Sequence, residues 1–265
     1  MVDCDADEVR KFHGAKHAGF DISEFIKTLR PAQTDGWLRE CQTWRALYPW
    51  LESPTHDDPT GFINPHRFMA RMQSRLRADE IITADCATGS LAAHQVLKLK
   101  PPQRLMTSGG LGEMGCGLPA AIGASFARDR GEVICLTNDG GIMLTLMELQ
   151  TVVSYKLPIK IVVFCNDGYG MIRDTQRNLG YANTAVDRAS GVSCPDFVKL
   201  ASGFDIPAIN GTKSIEESLD TLFRWQGPML MQVDVDPAYV WGPKLRPGRN
   251  DDGSIKHADF AEMSP

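Results

Sequence analysis

Residues 133–170 read VICLTNDGGIMLTLMELQTVVSYKLPIKIVVFCNDGYG and contain two apolar runs, each followed by a polar, glycine-rich turn. Runs as apolar as residues 133–137 and 159–165 are typical of parallel strands that are covered on both faces. Between them, residues 143–155 carry apolar side chains at the spacing of one helical face, which predicts a helix. The segment therefore predicts a β-α-β unit.

The same alternation of strand and helix continues on both sides of this unit. Asn64, followed by Pro65, is a typical helix start, and Ser214 with Glu217 has the pattern of a capping box. These signals and the apolar periodicity predict helices at 66–76, 90–97, 118–128 and 214–225, and strands at 80–85 and 229–235. Strands separated by helices indicate an α/β fold, a doubly wound parallel sheet with helices on both faces.

Composition excludes several classes of protein. The chain has 265 residues, 43% of them hydrophobic, and a formal net charge of −5. These values argue against a collagen-like or largely disordered chain and against nucleic-acid binding through a basic surface. No stretch approaches about 18 consecutive apolar residues, so we expect no membrane span. The seven cysteines form no CxxC pair, which argues against a disulfide framework or zinc ribbon and favours free thiols in the cytoplasm.

Turn-rich residues 52–61 and a polar, glycine-bearing tail after Pro243 suggest three regions. We expect an N-terminal segment and linker at 1–60, a ligand-binding domain at 61–242, and a C-terminal tail at 243–265 that lies over the surface.

The two glycine-rich turns carry the residues most suited to ligand chemistry. Asp139 follows the first strand and Asn166 the second, and the 25 residues between Gly140 and Asn166 are enough for one helix and one strand. Because ligands lie beyond the carboxyl ends of parallel strands, we expect both side chains at one sheet edge. Their oxygens and the backbone carbonyl of Gly168 would suit Mg²⁺, while Gly140 and Gly141 would let amides approach a phosphate. The alternative is a pair of ordinary strand-to-helix turns, in which Asn, Asp and Gly are common.

A third glycine cluster, residues 110–115 (GLGEMG), fits the dinucleotide-binding pattern G-x-G-x-x-G. The preceding residues 101–109 are polar and flanked by proline, so we expect no buried strand there, and the next helix is expected only from Leu118. Asp139 ends the following strand, a little beyond the usual spacing for an acidic residue that contacts the ribose. The position of Asp139 alone therefore does not exclude a dinucleotide site. The missing strand argues against a nicotinamide site.

Together these motifs resemble the diphosphate-binding domain of thiamine-diphosphate-dependent enzymes. The family's motif is GDG, a spacer of similar length, then NN; the corresponding residues here are Asn138-Asp139-Gly140 and Cys165-Asn166. The resemblance covers roughly residues 60 to 240, and residues 2–9 resemble the tail of the family's central domain. The stretches most similar to acetolactate synthase catalytic chains are 107–124, 147–153, 157–163 and 168–173.

The resemblance implies a role for each matching residue. Asp139, Asn166 and the carbonyl of Gly168 correspond to Mg²⁺ ligands. Met114 corresponds to the bulky side chain that supports the bent cofactor, and Met171 with Thr175 to the substrate pocket. Plain core packing is the alternative for the two methionines. The remaining cofactor contacts implied by the resemblance are Cys86, Ala87, Thr88, Gly112, Gly140, Gly141, Tyr169, Gly170 and, again, Met171.

Several positions depart from the family's pattern. Asn138 replaces the first glycine of GDG, and we expect the turn to survive because asparagine tolerates positive φ. Cys165 replaces the first asparagine of NN, whereas the second, which is the ligand, is kept. Residues 86–89 (CATG) replace a Val-Gly-Gln-His type segment, where Thr88 still offers a hydroxyl. Thr175 stands in place of a tryptophan that shapes the acceptor pocket, so we expect an open pocket and an acceptor other than pyruvate or 2-oxobutyrate.

The resemblance also implies an activity and a partner. Such enzymes decarboxylate a 2-oxo acid and transfer the acyl carbanion equivalent to a carbonyl acceptor. The glutamate that activates the cofactor comes from a separate pyrimidine-binding domain, and the residues before position 60 are too few for one. We therefore expect a split enzyme, such as a heterotetramer, in which another chain supplies that domain.

Three other functions stay open on the sequence. The chain could belong to a simple 2-oxo acid decarboxylase or to a 2-oxoacid:ferredoxin oxidoreductase, or it could be a non-catalytic thiamine-diphosphate-binding module. The absence of paired cysteines argues against the oxidoreductase, which typically recruits iron–sulfur clusters. The set of Asp139, Asn166 and Gly168 argues for a working cofactor site.

Overall fold

The computed structural model describes residues 2–3, 5–11, 18–19, 21–30, 33–47, 57–239 and 248–256. The chain divides into two compact units, Met1–Pro49 and Trp50–Pro265. The region boundaries expected at 60 and 242 stay predictions, and residues 52–56 of the turn-rich run lie outside the described residues. No helix in the described ranges is long and apolar enough to cross a membrane.

The first unit consists of short elements. β1 (Val2–Asp3) pairs in parallel with β2 (Ala18–Gly19), and the helices are α1 (Ala6–Arg10), α2 (Ile22–Thr28) and α3 (Asp35–Leu47). Asp21 caps α2 by accepting a hydrogen bond of 2.8 Å from the Ser23 amide. Along α3, Trp37 and Trp44 pack edge-to-face with ring centroids 5.4 Å apart.

The second unit contains a six-stranded parallel sheet. Its strands lie in the order β4-β3-β5-β6-β8-β7, and a small antiparallel hairpin of β9 (Gly248–Arg249) and β10 (Ile255–Lys256) follows them in the chain. The elements of the sheet and its helices are α4 (Pro65–Gln73), β3 (Ile81–Ala84), α5 (Thr88–Val96), β4 (Arg104–Thr107), α6 (Gly117–Ala127), β5 (Val133–Asn138), α7 (Asp139–Ile142), α8 (Glu148–Ser154), β6 (Ile159–Cys165), α9 (Gly170–Asn178), α10 (Phe197–Ser202), β7 (Ala208–Asn210), α11 (Ile215–Arg224) and β8 (Met229–Asp234).

Helices cover both faces of this sheet. Along β5, Ile134 and Leu136 lie in a core with residues of α4, α5 and α11, whereas Val133 and Cys135 lie in a second core with residues of α6, α8 and α10. Every residue of β5 is buried, which is why residues 133–136 are apolar without alternation. The predicted fold class, a doubly wound parallel sheet with helices on both faces, is confirmed.

The two predicted helix starts have different outcomes. Asn64 caps α4, because its Oδ1 accepts a hydrogen bond of 2.8 Å from the His66 amide, and Pro65 occupies the first helical position as predicted. Ser214 precedes α11, but its side chain makes no capping hydrogen bond. The predicted capping box is therefore wrong.

The helix predicted over residues 143–155 is interrupted. The chain forms the single turn of α7, then a tight connection, and α8 begins only at Glu148. In the connection, amides bond to carbonyls three residues back, as from Leu144 to Gly141 (3.1 Å) and from Glu148 to Thr145 (3.0 Å). The Thr145 hydroxyl also donates to the Gly115 carbonyl at 3.0 Å, which holds this connection against the loop before α6.

The segment before the G-x-G-x-x-G cluster does form a strand. β4 pairs in parallel with β3, and its residues alternate between exposed and half-buried. It lies at the edge of the sheet, where a strand needs one neighbour only and can be polar. The segment is therefore not a buried strand, as predicted, but a strand is present, so the argument from a missing strand fails. The loop at 108–116 separates β4 from α6 as predicted.

We predict that Phe164→Ala lowers the free energy of unfolding by about 3–5 kcal/mol. Phe164 is fully buried in β6 and packs edge-to-face on Phe68, with ring centroids 5.1 Å apart. The matched control is Phe126→Ala, since Phe126 on α6 is 41% exposed and should cost about 1 kcal/mol at most. Urea denaturation followed by circular dichroism measures both; equal losses would contradict the core position of Phe164.

Candidate functional site

The polar turns meet beside the centre of the sheet. From β3 the chain runs to β4 on one side and then crosses to β5 on the other, so the strand order reverses between β3 and β5. In open α/β sheets, ligands bind at the carboxyl ends of strands next to such a reversal. The turns at this edge are residues 85–88 after β3, 138–141 after β5 and 165–170 after β6.

Asp139 joins two of these turns. It is 1% exposed; its Oδ1 accepts a hydrogen bond from the Gly140 amide (2.8 Å), and its Oδ2 accepts from the amides of Asn166 and Gly168 (3.0 Å each). Burial raises the pKa of Asp139 to about 6, against the opposing effect of the three amides. The carboxyl group is therefore mostly ionised at pH 7 and lies between the ends of β5 and β6.

Asn166 supplies a second side-chain oxygen at this edge. Its Oδ1 is buried and accepts no hydrogen bond from the described residues. Its backbone carbonyl accepts a hydrogen bond of 2.8 Å from the Arg173 guanidinium, which also donates to the Pro237 carbonyl (3.0 Å) and so fixes the turn. An unpaired buried oxygen is costly, and a cation would satisfy it.

Glycine is required where the second turn folds back on itself. A Cβ at Gly168 would lie 2.4 Å from the Val186 carbonyl oxygen, and Gly168 has a φ of +115°, which L side chains rarely adopt. A Cβ at Gly170 would lie 2.4 Å from Asn166 Nδ2. A side chain at Gly170 would therefore displace the Asn166 amide, and one at Gly168 would push against the Val186 carbonyl.

Tyr169 and Met114 lie against Gly140, the first glycine of the other turn. A Cβ at Gly140 would lie 2.5 Å from Tyr169 Cε1 and 3.4 Å from Met114 Cε. The structure thus brings together three residues that the resemblance assigns to the cofactor. Gly140 and Gly141 have no side chains that would cover their own backbone. A phosphate group can approach backbone amides closely at such positions.

The turn after β3 brings Cys86, Ala87 and Thr88 to the same edge. Asn138 Nδ2 donates a hydrogen bond of 2.6 Å to the Cys86 carbonyl, and Thr88 is 3% exposed. Ala87 has a φ of +60°, a strained backbone of the kind found at functional sites. Burial raises the pKa of the Cys86 thiol to about 11, so it stays neutral and is a poor nucleophile at pH 7.

The remaining assigned residues lie around this centre. Met171 is 37% exposed and lines a cleft with Thr88, Asn166 and Gly170. Thr175 is exposed one helical turn later, and its hydroxyl donates to the Met171 carbonyl at 3.0 Å. Gly112, with a φ of +62°, is exposed and has no atom within 4 Å of the place a Cβ would occupy.

The sequence reasoning missed the role of Asp85 and misjudged Asn138. Asp85 is buried and accepts hydrogen bonds from the Gly115 amide and the Thr137 hydroxyl. The only feature of the sequence that could have indicated this role is the position of an acidic residue directly after an apolar strand. Asn138 has a φ of −123°, in the extended region, so the expected positive φ is wrong. Its side chain bridges to the turn after β3 instead.

No group of three or more His, Cys, Asp or Glu side chains suited to a metal occurs in the described ranges. A cation here would depend on the Asp139 carboxylate, the Asn166 amide oxygen and backbone carbonyls. Such neutral and anionic oxygen ligands suit a hard cation that keeps water or phosphate oxygens in its remaining positions.

Known proteins are similar in sequence to the part of the chain that forms this sheet edge. Residues 85–233 match the family described as "Thiamine pyrophosphate enzyme, C-terminal TPP binding domain". The acetolactate synthase isozyme 2 large subunit of Escherichia coli (strain K12) is 32% identical over 255 residues, which cover 93% of this chain and 45% of that protein. The acetolactate synthase large subunit of Porphyra purpurea is 33% identical over 222 residues, 83% of this chain and 36% of that protein. The probable acetolactate synthase large subunit of Methanocaldococcus jannaschii is 34% identical over 240 residues, 86% of this chain and 40% of that protein.

The chain thus spans less than half the length of each of these relatives. The family match begins at Asp85 and ends in β8, so it contains all three turns of the site and covers more than half of the chain. The chain belongs to the thiamine pyrophosphate enzymes and carries their C-terminal TPP binding domain.

Proposed function

We propose that this chain is the diphosphate-binding half of an acetolactate-synthase-like enzyme. The enzyme would decarboxylate a 2-oxo acid and join the acyl unit to a carbonyl acceptor, with thiamine diphosphate and Mg²⁺ as cofactors. The observation that carries the proposal is Asn166 Oδ1, a buried oxygen with no partner among the described residues, in a turn that is hydrogen-bonded to the Asp139 carboxylate.

The metal would be held by three oxygens of this chain. Asp139 provides charge, Asn166 Oδ1 a neutral ligand, and the Gly168 carbonyl a backbone ligand. Hydrogen bonds from the Asn166 and Gly168 amides to Asp139 already fix the second turn relative to the carboxylate. Little reorganisation would therefore be needed on binding, which favours affinity.

The diphosphate and the rings of the cofactor would contact separate groups. Gly141 would present its amide to the diphosphate, while the Gly140 amide donates to Asp139 and Gly140 would only allow close approach. Met114 and Tyr169, packed at Gly140, would support the rings. The carbanion-stabilising chemistry belongs to the cofactor. The residues of this chain bind and orient it and exclude water from one side.

The acceptor would enter near Met171 and Thr175. Both residues are exposed on α9, and Met171 lines the cleft beside Asn166. Because Thr175 is small and its hydroxyl is engaged with the helix backbone, it would leave this wall open. An open wall would favour an acceptor other than pyruvate or 2-oxobutyrate.

The pyrimidine-side carboxylate would come from a separate chain in a hetero-oligomer such as a heterotetramer. In the enzymes that this chain resembles, that carboxylate lies on a separate pyrimidine-binding domain. The six free cysteines among the described residues are compatible with a reducing cytoplasm.

We predict that Gly170→Ala weakens Mg²⁺-dependent binding of thiamine diphosphate by roughly tenfold, the loss expected for one displaced ligand. The added Cβ would lie 2.4 Å from Asn166 Nδ2 and must turn that amide. Gly110→Ala is the control, because nothing lies within 4 Å of its Cβ position. Isothermal titration calorimetry measures both; wild-type affinity in Gly170→Ala would rule out Asn166 as a ligand.

We predict that Mg²⁺-dependent binding of thiamine diphosphate weakens as the pH falls through about 6, where Asp139 takes up a proton. A protonated carboxyl group loses the charge that attracts the cation, so below its pKa the affinity should fall by roughly tenfold per pH unit. The diphosphate also titrates in this range, so Asp139→Asn, which cannot titrate, provides the reference slope. Equal slopes in titrations from pH 5 to 8 would contradict the ligand assignment.

We predict that the chain alone shows no turnover and that a complex with the product of a neighbouring gene does. Co-purification, followed by assays of CO₂ release and of ligated product with a panel of 2-oxo acids, tests this. Turnover by the isolated chain would refute the split arrangement. CO₂ without ligated product would indicate a simple decarboxylase, and cofactor binding without turnover a non-catalytic module.

A further inference from the structure

Asp85 is a buried carboxylate for which the proposed chemistry has no use. It directly follows β3, is 1% exposed, and begins the segment that matches the family. It is neither one of the metal-site oxygens nor part of the cleft beside Met171.

The Asp85 carboxylate links three separate segments of the chain. Its Oδ1 accepts hydrogen bonds from the amides of Cys86 and Gly115 (2.9 Å each). Its Oδ2 accepts from the Gly115 amide and from the buried Thr137 hydroxyl (3.0 Å each). The turn after β3, the loop before α6 and the end of β5 therefore meet at one side chain.

Two glycines next to the Asp85 carboxylate, Gly115 and Gly141, belong to the proposed cofactor site. Gly115 follows Met114 in the chain and has a φ of +83°, so its amide sets the path of the backbone that carries Met114. Gly141 packs so closely on Asp85 that an added Cβ would lie 2.3 Å from Oδ2. Asp85 thus ties the loop of Met114, a ring-supporting residue, to the sheet edge beside Gly141.

We infer that Asp85 is a positioning residue, which holds the loop of Met114 at a fixed place over the turn of Gly140 and Gly141. This inference rests on the proposed cofactor site, and it adds a residue that acts through its neighbours rather than by touching the cofactor. Removal of the carboxylate frees the Gly115 amide and leaves the Met114 loop tied to the sheet by fewer hydrogen bonds.

The test is hydrogen exchange and ligand titration on the full chain with Asp85→Ala. We expect exchange of the Gly115 amide to become at least about tenfold faster and affinity for Mg²⁺–thiamine diphosphate to fall by roughly tenfold. Affinity for Mg²⁺–pyrophosphate, which has no rings for Met114 to support, should change by about threefold or less. Asp85→Asn keeps one acceptor for Cys86 and Gly115 and should restore most of both properties.

Two further variants keep the inference testable. Glu80→Ala removes a fully buried carboxylate at the opposite end of β3 and should lower stability without changing exchange at Gly115 or the ratio of the two affinities. Gly141→Ala keeps Asp85 but pushes its carboxylate aside, and it should also speed exchange at Gly115, which decides the matter if Asp85→Ala does not fold.

Unchanged Gly115 exchange in Asp85→Ala and Gly141→Ala, or equal losses for both ligands in Asp85→Ala, would overturn the positioning role. Failure of the wild-type chain to bind either ligand would count against the proposed function instead. In that case the exchange of Gly115 still decides the role of Asp85.

Discussion

The hydrogen bonds of the Asp139 carboxylate are the constraint on which the site depends. Three backbone amides, from Gly140, Asn166 and Gly168, donate to it and hold the ends of two adjacent strands in one arrangement. Burial opposes ionisation and raises the pKa of Asp139 to about 6, whereas the amides favour the charged form. An uncompensated part of the burial cost remains, and a bound cation would offset it. The same residue thus organises the turns and would attract a cation.

Close packing explains why glycine surrounds this carboxylate and its neighbour Asp85. Gly141 lies against Asp85, Gly140 against Tyr169, and Gly170 against Asn166, each so near that a methyl group would collide. Two buried carboxylates at one sheet edge need many hydrogen-bond donors, and the amides of Gly115, Gly140 and Gly168 are three of them. The glycines thus serve both the close packing and the hydrogen bonding of this edge.

The opposite edge of the sheet shows how β6 tolerates a charge in an apolar run. Lys160 is fully buried at the amino end of this strand; its Nζ donates to the carbonyls of Trp225 (2.5 Å) and Gly227 (2.9 Å) and pairs with Glu132 at 3.2 Å. Burial lowers the pKa of Lys160, and the Glu132 charge opposes this effect. These contacts satisfy the Lys160 ammonium group at the amino ends of the strands, where its role is structural. The residues proposed to bind the cofactor lie at the carboxyl ends.

Local sequence determined the four central strands of the sheet and the helices α4, α5, α6, α8 and α11, because a strand buried on both faces must be largely apolar and a surface helix must repeat its apolar side chains. The pair of strand-ending turns with Asp139 and Asn166 was visible for the same reason, since each follows an apolar run. Tertiary structure alone decided the break before Glu148, where a threonine hydroxyl bonds to a distant loop, and the edge strand β4, which pairing with β3 stabilises despite its polar residues. It also decided the extended backbone of Asn138 and the burial of Asp85, because these depend on hydrogen bonds to segments 52 and 30 residues away in the chain. Contacts over such distances leave no periodic signal in the sequence.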